Sequence, residues 1–282
     1  MSDLVTLEGL HALKHAVRFG AEVTEIVTDD LDRVLGMADQ VAPDLRLLLE
    51  RRANVISSTR FRELTRQPVH THLLAYATRP VWTLNQALPT PERPTILLDD
   101  PRNSKNLGAV VRVGAAAGAA GLLVNGEVDV CDPMAVRGAA GLQWALPWWA
   151  SPDLLAELDE VRMEGQPSYP PTIETIQCGV VPDDGAKPRT ESIGREGLSH
   201  RDTAIPYCLI GLDADGDPLD PNIAEPVIFA FGSERTGLSE AVRTRCDAIC
   251  SLPMAPHVSS LNLATAVSAV LYVTRYARTA HP

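Results

Sequence analysis

No stretch of this sequence stays apolar for the roughly 18 residues that a bilayer-spanning helix needs, so no membrane partner is expected. The start, Met1-Ser2-Asp3-Leu4, lacks the basic and apolar regions of a secretory signal. Cysteine is sparse: Cys131, Cys178, Cys208, Cys246 and Cys250 are odd in number and scattered, which suits reduced thiols and a cytoplasmic protein. Cys246, Cys250 and His257 offer at most three zinc-type ligands, and no metal is expected. The dinucleotide fingerprint G-x-G-x-x-G is missing, as is a Walker A loop, which argues against a nucleotide-dependent oxidoreductase on an ordinary doubly wound sheet. Gly232-Ser233-Glu234 is not the G-x-S-x-G of a serine nucleophile. No internal repeat or heptad occurs.

What is present begins with charge. The net charge of −11 argues superficially against nucleic acid, but it is confined to one segment. Residues 150–225 carry 16 acidic and 5 basic side chains, and the remainder balances at 20 of each. Within that remainder Arg51, Arg52, Arg60, Arg62 and Arg66 face only Glu63, a basic stretch open to RNA or simply to solvent.

The pattern divides the 282 residues into two α/β series. Residues 1–80 read as a small α/β domain. It has a helix carrying Leu7, Leu10, Leu13 and Val17, strands at 22–28, 54–57 and 72–76, and helices at 43–52 and around Phe61. Pro80, Pro89, Pro91 and Pro94 mark residues 81–94 as a linker. From 95 to 282, strands at 95–98, 121–124, 207–212, 227–231 and 248–252 alternate with helices at 107–117, from 133, and 261–278. Continuous apolar strands between helices imply a mostly parallel, doubly covered sheet. Residues 164–206 lose the pattern and read as an acidic, poorly ordered insertion.

Three loops at strand ends carry chemistry. The first leads into Asn106-x-Gly108-x-x-x-Arg112, at a strand C-terminus and helix N-terminus where open α/β sheets bind ligands. Asn106 can cap that helix, and Arg112 is a long cation among Ala, Val and Gly that must snorkel, pair or reach a site. The second is Phe231-Gly232-Ser233-Glu234-x-x-Gly237-Leu238-Ser239. The third is Leu252-Pro253-Met254, followed by Ser259-Ser260-Leu261-Asn262-Leu263-Ala264 and an apolar helix. Gly-rich loops of this kind offer backbone N–H and C=O groups to a ligand.

In this order the three elements resemble the SpoU (TrmH-type) RNA 2′-O-ribose methyltransferases of the knotted SPOUT superfamily. The resemblance covers residues 95–150 and 205–278. Asp132-Pro133-x-x-x-Arg137-x-x-x-Gly141 is also similar, with Ala139 where a Ser is often found. Residues 1–78 resemble, more weakly, the family's ribosomal-protein-like RNA-binding domain. The resemblance implies a deep trefoil knot binding S-adenosyl-L-methionine through Phe231, Gly232, Ser233, Gly237, Leu252, Pro253, Met254, Ser259 and Leu261. It implies a homodimer that completes the active site, partly through the C-terminal helix, and a ribose 2′-hydroxyl of rRNA or tRNA as methyl acceptor. It assigns the reaction to Asn106, Arg112, Glu234, Ser260 and Asn262. Arg112 acts in that reading as a base or, given a guanidinium pKa above about 12, as a phosphate and alkoxide clamp. Ala264 stands where many rRNA-modifying members have Ser, which leaves the RNA open. The alternative is a non-catalytic RNA-binding or assembly protein that keeps the knot; the intact Asn106, Arg112, Glu234, Ser260 and Asn262 weigh against it.

Overall fold

The computed structural model describes residues 3–65, 72–164, 207–223, 226–258 and 260–280. The chain begins β1 (Leu4–Glu8), α1 (Leu10–Arg18), β2 (Val23–Thr28), α2 (Leu31–Val41), α3 (Arg46–Arg52), β3 (Ala53–Val55), α4 (Ser58–Leu64), β4 (Leu73–Thr78) and the one-turn α5 (Leu84–Ala87). It continues β5 (Thr95–Asp99), α6 (Ser104–Ala117), β6 (Gly121–Asn125), α7 (Pro133–Ala139), β7 (Trp148–Ser151) and α8 (Leu154–Glu164). Last come β8 (Cys208–Pro218), β9 (Val227–Phe231), α9 (Glu240–Arg243), β10 (Ala248–Ser251) and α10 (Leu263–Ala280). Apart from its first residue, the expected acidic insertion lies outside the described residues, as does Arg66 of the basic stretch.

The first four strands form a mixed sheet ordered β1-β4-β2-β3. Leu7, expected in a helix, lies in β1, because its alternation with Val5 puts both into the core while Leu4 and Thr6 face outward. The helical period starts only at Leu10, after Gly9 turns the chain at φ 88°. The helix α2 escaped the sequence reading, because only Val34 and Ala38 are buried on it and its apolar stripe is narrow. In the stretch expected as a linker, the α5 backbone packs into the notch left by Gly121, where a Cβ would stand 2.4 Å from Ala87 atoms.

The other six strands form a wholly parallel sheet ordered β10-β8-β9-β5-β6-β7. Alternation along each strand sends Ile96, Leu98, Leu122, Val124, Phe229 and Phe231 to one face, under α6, α7 and α10. Leu97, Leu123, Leu209, Ile228 and Ala230 go to the other, under α5, α8 and α9. From β5 the chain winds outward through β6 and β7, then returns on the far side of β5 to build β8, β9 and β10. The β5–β9 junction is therefore a switch point, and the loops after these two strands diverge to leave a crevice at their C-terminal ends.

The N-terminal unit is seated on this domain through α1. Gly141 (φ 76°) allows a turn whose Cβ would otherwise lie 2.3 Å from the Ala12 carbonyl oxygen. His15 Nδ1 donates to the Ala140 carbonyl at 2.9 Å, and Arg137 pairs with Glu8 at 2.5 Å. Among the described residues no helix is long and apolar enough to cross a membrane.

Candidate functional site

Helix α6 starts where Asn103, not Asn106, caps it: the Asn103 side chain accepts from the Lys105 and Asn106 N–H groups at 3.0 and 3.4 Å. An N-cap needs extended backbone, which Asn103 has at φ −110°, whereas Asn106 is already inside the first turn. The Asn106 amide is thereby free of capping and turns toward the neighbouring loop. Gly108 lets α6 approach α7, since a Cβ there would lie 2.2 Å from the Ala135 carbonyl oxygen.

The loop after β9 is a tight hairpin. Ser233 and Gly237 exchange both backbone hydrogen bonds, at 3.1 and 3.0 Å. Gly232 has no room for a side chain, and Gly237 sits at φ 67°. The loop's exit is pinned to β5: the buried carboxylate of Asp99 accepts from the Ser239 N–H at 2.6 Å and from Asn125 Nδ2 at 2.8 Å. Asn262 caps α10, its Oδ1 accepting from the Ala264 N–H at 3.0 Å.

These three loops meet through one directional chain. Asn262 Nδ2 donates to Asn106 Oδ1 at 3.3 Å, and Asn106 Nδ2 donates to Glu234 Oε1 at 2.5 Å. Each amide is oriented by its neighbour, and the chain ends on a carboxylate. Beside it opens a cavity of about 510 Å³ at the C-terminal end of β9 and at the point where β8 leaves its ladder with β9, after Leu212. Of the residues expected to bind a cofactor, Phe231, Gly232, Ser233, Gly237, Leu252, Met254 and Leu261 line it; Pro253 does not, and Ser259 lies outside the described residues. Of those assigned to the reaction, Glu234, Ser260 and Asn262 line it, and Asn106 adjoins it through Glu234.

Arg112 is not brought there. It is exposed on α6, lines neither this cavity nor the depression next to it, and makes no hydrogen bond or ion pair with a described residue. Six residues beyond Asn106, it lies about 9 Å farther along the helix axis. Its charge is felt instead at α1. Desolvation, the neighbouring ring, Lys14 and Arg112 hold His11 below its ordinary value; desolvation and the charges of Lys14, Arg112 and Arg18 do the same for His15, against its Ala140 hydrogen bond. The two rings meet edge to face at 4.6 Å.

The sequence reading missed Asp213 and Ala214, which also line the cavity. On the β10 side of β8 the ladder jumps from the Gly211–Ile249 pair to the Asp217–Cys250 pair, so the intervening residues bulge over the rim. Arg243 anchors the bulge through Asp213 at 2.9 Å and Asp215 at 2.7 Å. The available signal was positional: Asp213 follows the apolar strand end at Leu212, on the side of the sheet where ligands bind. Burial pushes the Cys131 thiol up to about 12 and Cys246 to about 11, so neither supplies a thiolate near neutral pH. Among the described residues no cluster of three or more His, Cys, Asp or Glu is placed to hold a metal ion.

Comparison with known proteins matches residues 198–272 to the SpoU rRNA Methylase family. Over 180 residues the chain is 32% identical to a 23S rRNA (uridine(2479)-2′-O)-methyltransferase of Streptomyces viridochromogenes, covering 63% of this chain and 50% of that protein. An uncharacterized tRNA/rRNA methyltransferase of Mycobacterium leprae is 31% identical over 190 residues, 67% of this chain and 48% of that one. These alignments span about half the length of each relative. The crystal structure of the SpoU methyltransferase AviRb from Streptomyces viridochromogenes superposes with a TM-score of 0.71 at 25% identity, covering 99% of this chain and 91% of that one. An AdoMet-bound rRNA methyltransferase from Sinorhizobium meliloti shares the fold with a TM-score of 0.67 at 19% identity, over 97% and 87% of the two chains. Residues 198–272 thus resemble the SpoU rRNA Methylase family, and the chain as a whole shares the fold of the SpoU methyltransferase AviRb.

Proposed function

We propose that the protein transfers a methyl group from S-adenosyl-L-methionine to a ribose 2′-hydroxyl of rRNA or tRNA. The observation that carries this reading is the Asn262–Asn106–Glu234 chain, which joins three separate motifs at the wall of one cavity. The residues present fit the cofactor. The cavity volume falls within the roughly 300–1,000 Å³ of small-molecule sites. Gly232 lets the hairpin close on itself at the cavity wall, and Phe231, Leu252, Met254 and Leu261 offer apolar walls to an adenine. Ser233 would complete the cradle in this proposal, and Asp213, steadied by Arg243, would be the acceptor available to the ribose hydroxyls of the cofactor.

S-adenosyl-L-methionine supplies a methyl group already activated as a sulfonium, so the protein's task is to place and polarise the acceptor. Asn106 and Asn262, locked by each other, orient the 2′-hydroxyl. Glu234 keeps the Asn106 amide in one flip state and presents a carboxylate to the acceptor side, while Ser260 holds the substrate. Positioning of this kind contributes several kcal/mol to such a barrier.

Arg112 enters through dimerisation. On α10, Val267, Val270 and Leu271 are buried in the core, whereas Tyr272, Val273 and Tyr276 are exposed. A homodimer through this face brings Arg112 of the partner subunit to the acceptor, as base or as phosphate and alkoxide clamp. The C-terminal segment is knotted in this proposal, residues 1–80 form the RNA-recognition domain, residues 95–282 the methyltransferase domain, and the protein works in the cytoplasm. The test is titration with S-adenosyl-L-methionine followed by methyl transfer to total RNA. Micromolar or tighter binding is expected, and Arg112→Ala should abolish transfer while leaving binding intact. An absence of both binding heat and thermal shift refutes the reading, and an Arg112→Ala variant as active as wild type refutes that role.

A further inference from the structure

A second, larger depression of about 790 Å³ adjoins the cavity described above, and the two share Ser233 and Glu234 as a wall. Arg102, Lys105 and Asn106 line it from the β5–α6 side, and Arg235 from the Gly-rich loop. Arg102 is engaged by Asp100 at 2.7 Å. Lys105 and Arg235 are exposed, and neither forms an ion pair with a described residue. The N–H groups of Lys105 and Asn106 are taken up by Asn103, so side chains rather than the helix end define the depression. Two cations lining one groove repel each other and here stabilise nothing inside the protein, so their use is toward an external anion.

The basic stretch of the N-terminal unit is a weaker candidate for the same task, because much of it is already engaged. Arg52 donates to the Val23 and Thr24 carbonyls at 2.8 and 3.3 Å, Arg60 pairs with Glu63 at 2.8 Å, and Arg62 donates to the Ser58 carbonyl at 3.1 Å. The groove, by contrast, shares its wall with the site where the acceptor ribose must lie. A 2′-hydroxyl presented at Glu234 has its own 3′-phosphate as nearest neighbour, and the groove is the cation-lined depression that adjoins Glu234.

We propose that this groove holds the single-stranded RNA backbone flanking the target nucleotide, with Lys105 and Arg235 each taking a phosphate and Arg102 exchanging Asp100 for a third. The proposal rests on the methyltransferase reading, which places the acceptor at Glu234. Phosphate contacts of this kind fix register and carry no sequence information, leaving the choice of RNA to the N-terminal unit.

The test uses the full chain and a short fluorescein-labelled oligouridylate, titrated between about 50 and about 200 mM salt, alongside S-adenosyl-L-methionine titration of the same preparations. Each phosphate contact on a single strand contributes about 0.7 to the salt slope. The Lys105→Ala/Arg235→Ala variant should therefore bind with a slope shallower by about 1.4. The advantage of the wild type should shrink about 7-fold across that salt range. Cofactor affinity should be unchanged, and Lys105→Arg/Arg235→Lys should keep the wild-type slope. An unchanged slope in the alanine variant overturns the proposal, as does a loss confined to cofactor binding. A wild type that binds no cofactor refutes the methyltransferase reading alone, and the slope comparison still decides the groove.

Discussion

Replacing Gly232 with alanine should damage the cavity beside Glu234 far more than the fold. A Cβ at this position would stand 1.9 Å from the Gly237 carbonyl carbon and 2.2 Å from its oxygen. Both are backbone atoms of the same hairpin, so no rotamer change relieves the contact and the loop must open. Opening breaks the two hydrogen bonds that Ser233 and Gly237 exchange. At about 1 kcal/mol net for each, the closed loop loses roughly 2 kcal/mol. A ligand that needs the closed loop should then bind about 30-fold more weakly. The hairpin tip, residues 234–236, is exposed, so the thermal midpoint should move little. Isothermal titration with S-adenosyl-L-methionine, paired with a thermal melt, measures both quantities. Gly36→Ala is the control: nothing lies within 4 Å of a Cβ there, and alanine in the α2 interior should leave binding unchanged and add up to about 1 kcal/mol of stability. If Gly232→Ala binds the cofactor within a fewfold of wild type, the hairpin does not form the cavity wall as argued.

Packing between α6 and α7 should be equally unforgiving in a different readout. A Gly108→Ala side chain would lie 2.2 Å from the Ala135 carbonyl oxygen, so about 3 kcal/mol should be lost, seen as a fall in Tm of roughly 6–12 °C. An unchanged melt would show that the two helices can separate without cost. The seating of α1 should depend on pH. His15 is held below its ordinary value chiefly by desolvation, so its contribution to stability is full above the unfolded value near 6.5 and is lost as pH falls through the folded one. Denaturant melts at decreasing pH should show wild type losing stability faster than His15→Gln, whose amide can still donate to Ala140; parallel pH profiles would remove His15 from that role.

Much of the fold was legible because its signals are local. Apolar strands such as Thr95–Asp99 and Val227–Phe231 are buried on both faces and read as continuous runs. The helices α6 and α10 announced themselves by small and apolar residues between a polar entry and, for α6, Gly118 in the left-handed region at its exit. Legibility failed where a side chain's role depends on what lies beyond its own element. Leu7 fits a helical stripe with Leu10 and Leu13, and only pairing with Ala75 across β4 makes it a strand residue. Asn106 was a reasonable cap until Asn103, in extended backbone three residues earlier, took both N–H groups. Asp213 lacked any motif, and it reaches the cavity because β8 bulges away from β10.

The sequence by itself determined the alternation of strands and helices, the Gly-rich hairpin at the end of β9, and the residue types gathered at strand ends, because each follows from spacing and backbone conformation over a few residues. The tertiary structure alone decided which of those loops meet. Asn106 reaches Glu234 across 128 positions and Asn262 across 156, because β9 lies beside β5 in the sheet and α10 packs on α6. It also decided that Arg112, six residues from Asn106 in sequence, is exposed on α6 and does not line the cavity. Adjacency through space follows from the burial of whole faces against one another, and no local period carries that information.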